Sequence, residues 1–329
     1  MEGNVTITRK EFLRTAAAAA TTAAFGGTSA FAQEYPSQDF KIICGFPPGS
    51  GADIFARYFG EKLRVLTGRN VIVENKPGAN SNIATTYVAR AKPDGYTLYP
   101  FAGTTVAATM HLFKQPPVDV GKTITVAATT SNLAFMLVVD PKSPYKTVAD
   151  LTAAMKKKGP TATYATAANP GAIMGALYKE AAGFEAVEVS YRSAPDSLNE
   201  LVSGKLDYGL HDPIFALAQA REGRLRILAV SSSDRLQSIP DVPTMKESGV
   251  PMDLNIWWGV MTTAGTPRPI IDKINAWFKE ILSTEETKKF LALSGADPMI
   301  RTPDQAQAMF MTAIKEWGEY VRIAKIPQN

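Results

Sequence analysis

The chain has 329 residues, enough for one large domain or two ordinary ones, and with 45% apolar and 20% charged residues it is neither disordered nor fibrous. Its net charge of +4 comes from 35 basic and 31 acidic residues that are interleaved, with no dense Lys/Arg run among aromatics, so nucleic-acid binding has little support. One cysteine, Cys44, excludes an intrachain disulfide and a cysteine-based metal site, and two histidines without ligand spacing, His111 and His211, argue against a zinc or iron centre.

The N-terminal stretch "TRKEFLRTAAAAATTAAFGGTSAFAQ" starts basic (Arg9, Lys10, Arg14), continues through an Ala-rich run and closes on Ala30-Phe31-Ala32. That order predicts an export leader over residues 1–32, cleaved after Ala32, by a Sec route or a twin-arginine-like one with Lys10 in place of the second Arg. The alternative is an ordinary Ala-rich helix. No other stretch reaches the roughly 18 apolar residues of a membrane span, so the expected mature product is a soluble exported protein.

Short β-branched runs then alternate with longer helical patterns, the signature of α/β architecture. Strands are predicted at 40–46, 71–75, 97–102, 124–130, 135–140, 162–167, 185–191, 206–212, 225–232 and 256–263. Helices are predicted at 52–66, 82–91, 148–157, 172–182, 194–203, 215–222, 268–282, 285–293 and 303–323. In the first helix Ile54, Phe55, Tyr58, Phe59, Leu63 and Leu66 recur at three- and four-residue spacing, and Gly68 marks its stop. No tandem repeat and no long linker divides the chain. The segments "LAFMLVVDP" and "NIWWGV" are the candidate crossings between two domains, the first discontinuous (33–133 plus 257–329) and the second continuous (134–256).

Between the first strand and helix lies "GFPPGSGAD", which fits neither G-x-G-x-x-G nor G-x-x-x-x-G-K-[ST]. Pro47 and Pro48 stiffen the approach, Gly49 and Gly51 permit close contact, and the helix start offers unpaired N–H groups with a partial positive charge. This suits a carboxylate; the bland alternative is a capped turn that binds only water. A catalytic apparatus is hard to find. No G-x-S-x-G elbow occurs, and Cys44 sits in an apolar run. Asp207, His211 and Asp212 form the best titratable cluster, but strand alternation separates His211 from Asp212. His211 reads as a hydrogen-bonded core histidine. Asp212 either caps the following helix or accepts a bond from a ligand.

Taken together, Tyr35-Pro36, "FPPGSGAD", "VIVENKPGANSNIATTYVARAKPDGYTL" (71–98), "VSYRSAPDSLNELVSGKLDYGLHD" (189–212), "GRLRILAVSSSDRLQSIPDVPTMKESGVP" (223–251) and "WWGVMTTAGTP" (257–267) resemble the substrate-binding proteins of tripartite tricarboxylate transporters, the Bug family of extracytoplasmic solute receptors. The resemblance covers nearly the whole chain after the leader. It implies a type II periplasmic binding protein: two α/β domains joined by short crossover strands, with a cleft that closes on a small carboxylate. It implies no enzymatic activity and no cofactor. The implied partners are the carboxylate itself and the membrane components of a tripartite transporter, with the receptor a monomer.

In the family two loops grip one carboxylate, mostly through backbone N–H groups and ordered water. The first maps to Phe46–Asp53 and the second to Thr166–Ala172. The implied ligand set is therefore Phe46, Pro48, Gly49, Ser50, Gly51, Ala52 and Asp53, then Thr166, Ala167, Ala168, Asn169, Gly171 and Ala172, with Thr104, Tyr191 and Asp212 completing it. The second loop departs from the family's G-S-x-G-x-G-S: Ala168 and Pro170 replace glycines, and Met174 stands where His is common. Segment 102–111 has fewer hydroxyls than its counterparts. With Trp257, these departures imply an apolar distal pocket, less suited to citrate than to an aromatic or aliphatic mono- or dicarboxylate. Two rival readings remain beside the transport receptor: a sensor feeding a signalling receptor, and an exported hydrolase or lyase.

Overall fold

The computed structural model describes residues 35–191, 193–326 and 328; the expected leader lies outside them. Residues 38–329 form one compact unit, and of the other unit, 1–37, only the last three residues are described. The elements run β1 (Phe40–Cys44), α1 (Gly51–Thr67), β2 (Val71–Asn75), α2 (Asn82–Ala89), β3 (Thr97–Ala102), α3 (Gly103–Leu112), α4 (Val120–Thr123), β4 (Ile124–Leu133), β5 (Met136–Val139), α5 (Val148–Lys158), β6 (Thr163–Thr166) and α6 (Asn169–Ala182). They continue with β7 (Val187–Ser190), α7 (Leu198–Val202), β8 (Tyr208–His211), α8 (Pro213–Arg221), β9 (Arg226–Val230), β10 (Ile256–Thr263), α9 (Arg268–Ser283), α10 (Glu285–Leu293), β11 (Ala296–Pro298) and α11 (Pro303–Ile323).

Helix α1 shows how the sequence makes these elements. Phe55, Phe59 and Leu63, four residues apart, are buried, while Arg57, Glu61 and Arg64 face out. Each large side chain so buried contributes about 1.5–3 kcal/mol. Ser50 caps the start, its Oγ accepting from the Asp53 N–H at 3.3 Å, and Gly68 ends the helix at φ 67° with its N–H on the Arg64 carbonyl. Ile54, which periodicity put on the apolar stripe, is exposed.

The strands form two mixed sheets, each with helices packed on it. The first has the order β11-β4-β10-β3-β1-β2, with β1 parallel to β2 and β3, and β10 antiparallel to β3 and β4. The second has the order β7-β6-β8-β5-β9, with β6 parallel to β7 and β8, and β5 antiparallel to β8 and β9. The chain passes from first sheet to second between β4 and β5, and returns between β9 and β10. Fully buried Ser231 ties the two crossings together. Its N–H donates to the Phe135 carbonyl (2.9 Å), its Oγ accepts from the Phe135 N–H (3.0 Å), and its Oγ donates to the Leu254 carbonyl (2.8 Å). Two α/β bodies therefore meet along a short, hydrogen-bonded double crossing.

Candidate functional site

The "GFPPGSGAD" turn is held from behind. Asp53, 3% exposed, accepts at Oδ2 from the Gly49 N–H (2.9 Å) and from Arg57 Nε (2.9 Å), and at Oδ1 from Asn75 Nδ2 (2.8 Å). Asn75 Nδ2 also donates to the Phe46 carbonyl (2.9 Å). The Arg57 hydrogen bond, with those from Gly49 and Asn75, outweighs burial and pulls the Asp53 carboxyl down to about 2. Gly49 sits at φ +80°, a conformation natural to glycine. These residues shape the turn. Its outer rim, Phe46, Ser50, Gly51 and Ala52, faces a cavity.

That cavity has two chambers of about 400 Å³ each, sharing Phe46, Thr105, Ala168 and Pro170. The first holds the rim of the turn and a wall of Phe101, Phe135, Leu133, Ile256 and Trp258 from the first sheet and the crossing, facing Asp212, Pro213 and Ile214 from the second. The rings of Phe46 and Phe101, and of Phe101 and Trp258, lie 5.5 Å apart. The second chamber is lined by Thr166, Ala167, Asn169, Ala172 and Tyr191, with Glu188 and Ser190.

The two sequence-predicted loops thus converge, and Tyr191 and Asp212 join them. Pro48, Gly49, Asp53 and Gly171 do not line the cavity. Gly171 packs against β8, where an added Cβ would lie 2.6 Å from the Leu210 carbonyl oxygen. Thr104 is also elsewhere: it is 2% exposed and lines a different cavity, while its neighbour Thr105, about 100° further around α3, lines both chambers. Likewise Trp257 is buried over Gly103 and lines that other cavity; Trp258 is the tryptophan that lines this one, as strand alternation requires. Met174 is fully buried and lines neither chamber, so of the three departures in this segment only Ala168 and Pro170 reach the cavity.

Among the described lining residues there is no Lys, Arg or His; the charged ones are Asp212 and Glu188. Backbone supplies positive potential, because α1, α3, α6 and α8 all begin at the cavity wall. At α1 the Asp53 N–H is taken by Ser50 and the Gly49 N–H by Asp53, while the N–H groups of Gly51 and Ala52 are first-turn donors without an intrahelical acceptor. At α6 the Gly171 and Ala172 N–H groups both close on the Ala168 carbonyl (3.0 and 3.2 Å), and Pro170 has none, leaving Asn169 as the donor of that turn. The helix start is otherwise uncapped by any side chain.

Asp212 caps the following helix and also reaches the cavity. Its Oδ1 accepts from the Phe215 N–H (3.0 Å), capping α8, and the residue lines the first chamber. Burial pushes its carboxyl up despite that bond. Glu188 is exposed and accepts from Thr166 Oγ1 (2.6 Å) and Tyr164 OH (3.3 Å). The Tyr191 hydroxyl donates to Glu200 (2.9 Å), and burial followed by that bond pushes it up to about 12. His211 is buried with Nε2 3.1 Å from Ser197 Oγ. Buried Cys44 donates weakly to the Phe46 carbonyl (3.6 Å), and burial raises its thiol. Among the described residues no cluster of three or more metal-ligating side chains occurs. The geometry suits an anion with an apolar body, held at one end by helix N-termini.

Residues 55–325 match the family described as the tripartite tricarboxylate transporter family receptor. The chain is 31% identical to a UPF0065 protein of Bordetella bronchiseptica over 304 residues (91% of this chain, 89% of that one). It is 29% identical to protein BugT of Bordetella pertussis over 295 residues (88% and 90%). Among solved structures it resembles Rpa4515 of R. palustris with adipate (25% identity, TM-score 0.78, covering 90% of this chain and 100% of that one). Periplasmic binding protein BugD gives 26% identity, TM-score 0.75 and the same coverages. MatC of Rhodopseudomonas palustris with bound malate gives 25% identity and TM-score 0.73, covering 87% of this chain and 100% of that one.

Proposed function

The chain belongs to the tripartite tricarboxylate transporter receptor family, and on that premise we propose that it is a periplasmic receptor that captures a small carboxylate in the two-chambered cavity and delivers it to the membrane components of such a transporter. In this reading the two sheets are the cores of two domains, 33–133 plus 257–329 and 134–256, which rotate about the crossing at Ser231 and close as one monomer around the ligand. The leader at 1–32 directs export and is cleaved after Ala32.

The observation that carries the proposal is the cavity's charge economy: four helix starts face it, and among the described residues no cationic side chain does. A carboxylate seated on the N–H groups of Gly51, Ala52 and Asn169 gains charge-assisted hydrogen bonds and the favourable end of two helix dipoles. Closure removes competing water. Ordered water from the second loop supplies what Pro170 cannot. The ligand's body lies along Phe46, Phe101, Phe135, Ile214 and Trp258, a wall that rewards aromatic rings or methylenes at about 25 cal/mol per Å² buried. Asp212 meets the distal group. Relatives solved with adipate and malate support a carboxylate as the class; the apolar wall favours terephthalate, benzoate or adipate over citrate. The chemistry required is binding and release, with no bond made or broken.

A thermal-shift panel tests this reading. Terephthalate, benzoate or adipate raises the unfolding temperature, a ligand at 100-fold its Kd giving about 2.7 kcal/mol. Strong stabilisation by citrate with none from the other three contradicts it.

A further inference from the structure

A second cavity, of about 580 Å³, lies outside the two chambers and borders the return crossing. One wall is a single stripe of α11, stepping by three and four residues from Gln305 through Met309, Thr312 and Glu316 to Tyr320. The other is formed by Asp253, Asn255 and Trp257, alternate residues of the segment that leads into β10. Between them Thr104 is 2% exposed, and its hydroxyl has no hydrogen-bond partner among the described residues. A buried hydroxyl left unpaired is destabilising, and a ligand that reaches it recovers that loss.

The charges of this groove are segregated. Asp253 and Glu316 share one end, where Tyr320 OH donates to the Asp253 carbonyl (3.2 Å). Neither carboxylate forms an ion pair among the described residues. Burial and the neighbouring Asp253 push the Glu316 carboxyl up, the signature of two acids lacking a cation. At the other end Arg301 stands just before α11, with Gln305 in the helix's first turn. Arg301 donates to the Ile300 carbonyl (3.1 Å) and forms no ion pair among the described residues. The helix dipole has the same polarity, favouring an anion at the Arg301 end and a cation at the Tyr320 end.

We propose that this groove binds a short peptide as an extended zwitterion, its terminal ammonium between Asp253 and Glu316, its carboxylate on Arg301 and its backbone amides in reach of Thr104. The helix rises about 16 Å from Gln305 to Glu316, and an extended tripeptide spans roughly 10 Å; the Arg301 and Glu316 side chains bridge the difference. The site does not depend on what the main cleft carries. It does touch the cleft's machinery: one wall belongs to the return crossing, and Trp317 lines both this groove and the second chamber. Peptide and cleft ligand therefore modulate each other's affinity, and reciprocally.

Calorimetric titration of the exported protein with triglycine, N-acetyltriglycine and triglycinamide tests the site. Saturable triglycine binding is expected, weakened at least tenfold by either blocking group. Arg301→Gln weakens triglycine but leaves triglycinamide unchanged, and Glu316→Gln weakens triglycine but leaves N-acetyltriglycine unchanged. Thr104→Val, which removes only an unpaired hydroxyl and so keeps the fold, weakens triglycine several-fold. No saturable heat with triglycine overturns the proposal. So does binding that adipate displaces competitively and that neither charge variant alters, because the peptide then sits in the main cleft.

Discussion

Two residues in "LHD" show how burial alone assigns opposite roles to neighbours. His211 is 1% exposed, and burial pushes its imidazole down to about 4 from an ordinary 6.5. The unfolded chain binds that proton more readily, so the contribution of the neutral ring to stability is whole above about pH 6.5 and is lost as pH falls towards 4. By pH 4.5 the loss reaches about 2.5 kcal/mol. Urea unfolding of the wild type and His211→Leu at pH 7 and pH 4.5 measures it: the wild type loses that much more stability than the variant, and equal losses contradict the assignment. Asp212 faces the cavity with its carboxyl raised. A ligand carboxylate close by raises it further, so binding takes up a proton and a dicarboxylate binds more tightly as pH falls, as long as its own carboxylates stay ionised. Asp212→Asn keeps the cap on α8, removes the repulsion, tightens dicarboxylate binding at pH 8 and flattens the pH dependence. Weaker binding with the pH dependence intact contradicts this role.

At the level of elements, the two loops differ in how they were written. The start of α1 is legible, because Ser50, Asp53 and the flanking glycines are ordinary cap and turn residues. The start of α6 is not. Pro170 reads as a lost donor ending the loop, so the helix is predicted from 172, yet a proline in the first turn sacrifices an N–H that no helical carbonyl would have paired, and α6 begins at Asn169. Gly171 reads as a ligand donor because the family's loop is glycine-rich, whereas its hydrogen serves helix–strand contact. Gly171→Ala forces a Cβ to 2.6 Å from the Leu210 oxygen and lowers stability by about 1–3 kcal/mol in equilibrium unfolding; an unchanged midpoint contradicts that reading. Helix α3 left no sequence signal at all. Its N-cap is Ala102, no side chain caps it, and "GTTVAATMH" opens with a glycine and two β-branched threonines, weak helix formers. Missing it misplaced the helix's phase, and with it the choice between Thr104 and Thr105.

Over the whole molecule, the alternation of strand and helix patterns was enough to read α/β architecture, while one domain or two stayed open until the family resemblance implied two. That alternation could not give the cavity's far wall. Phe101, Phe135, Ile214 and Trp258 come from four separated segments, each ordinary as local sequence, and only the sheet order and the Ser231 junction bring them together. The same assembly gathers four helix starts around a lining with no cationic side chain among the described residues, which suits a receptor that must release its ligand: backbone donors bind a carboxylate well when the cleft is shut and compete poorly with water when it is open. The most direct test of that mechanism is calorimetric titration with terephthalate and its neutral diamide, equal in ring and nearly equal in size. Saturable binding of the dicarboxylate at least a hundredfold tighter than the diamide, about 2.7 kcal/mol, is the predicted result. Equal affinities would contradict the account, since the apolar wall alone would then be holding the ligand.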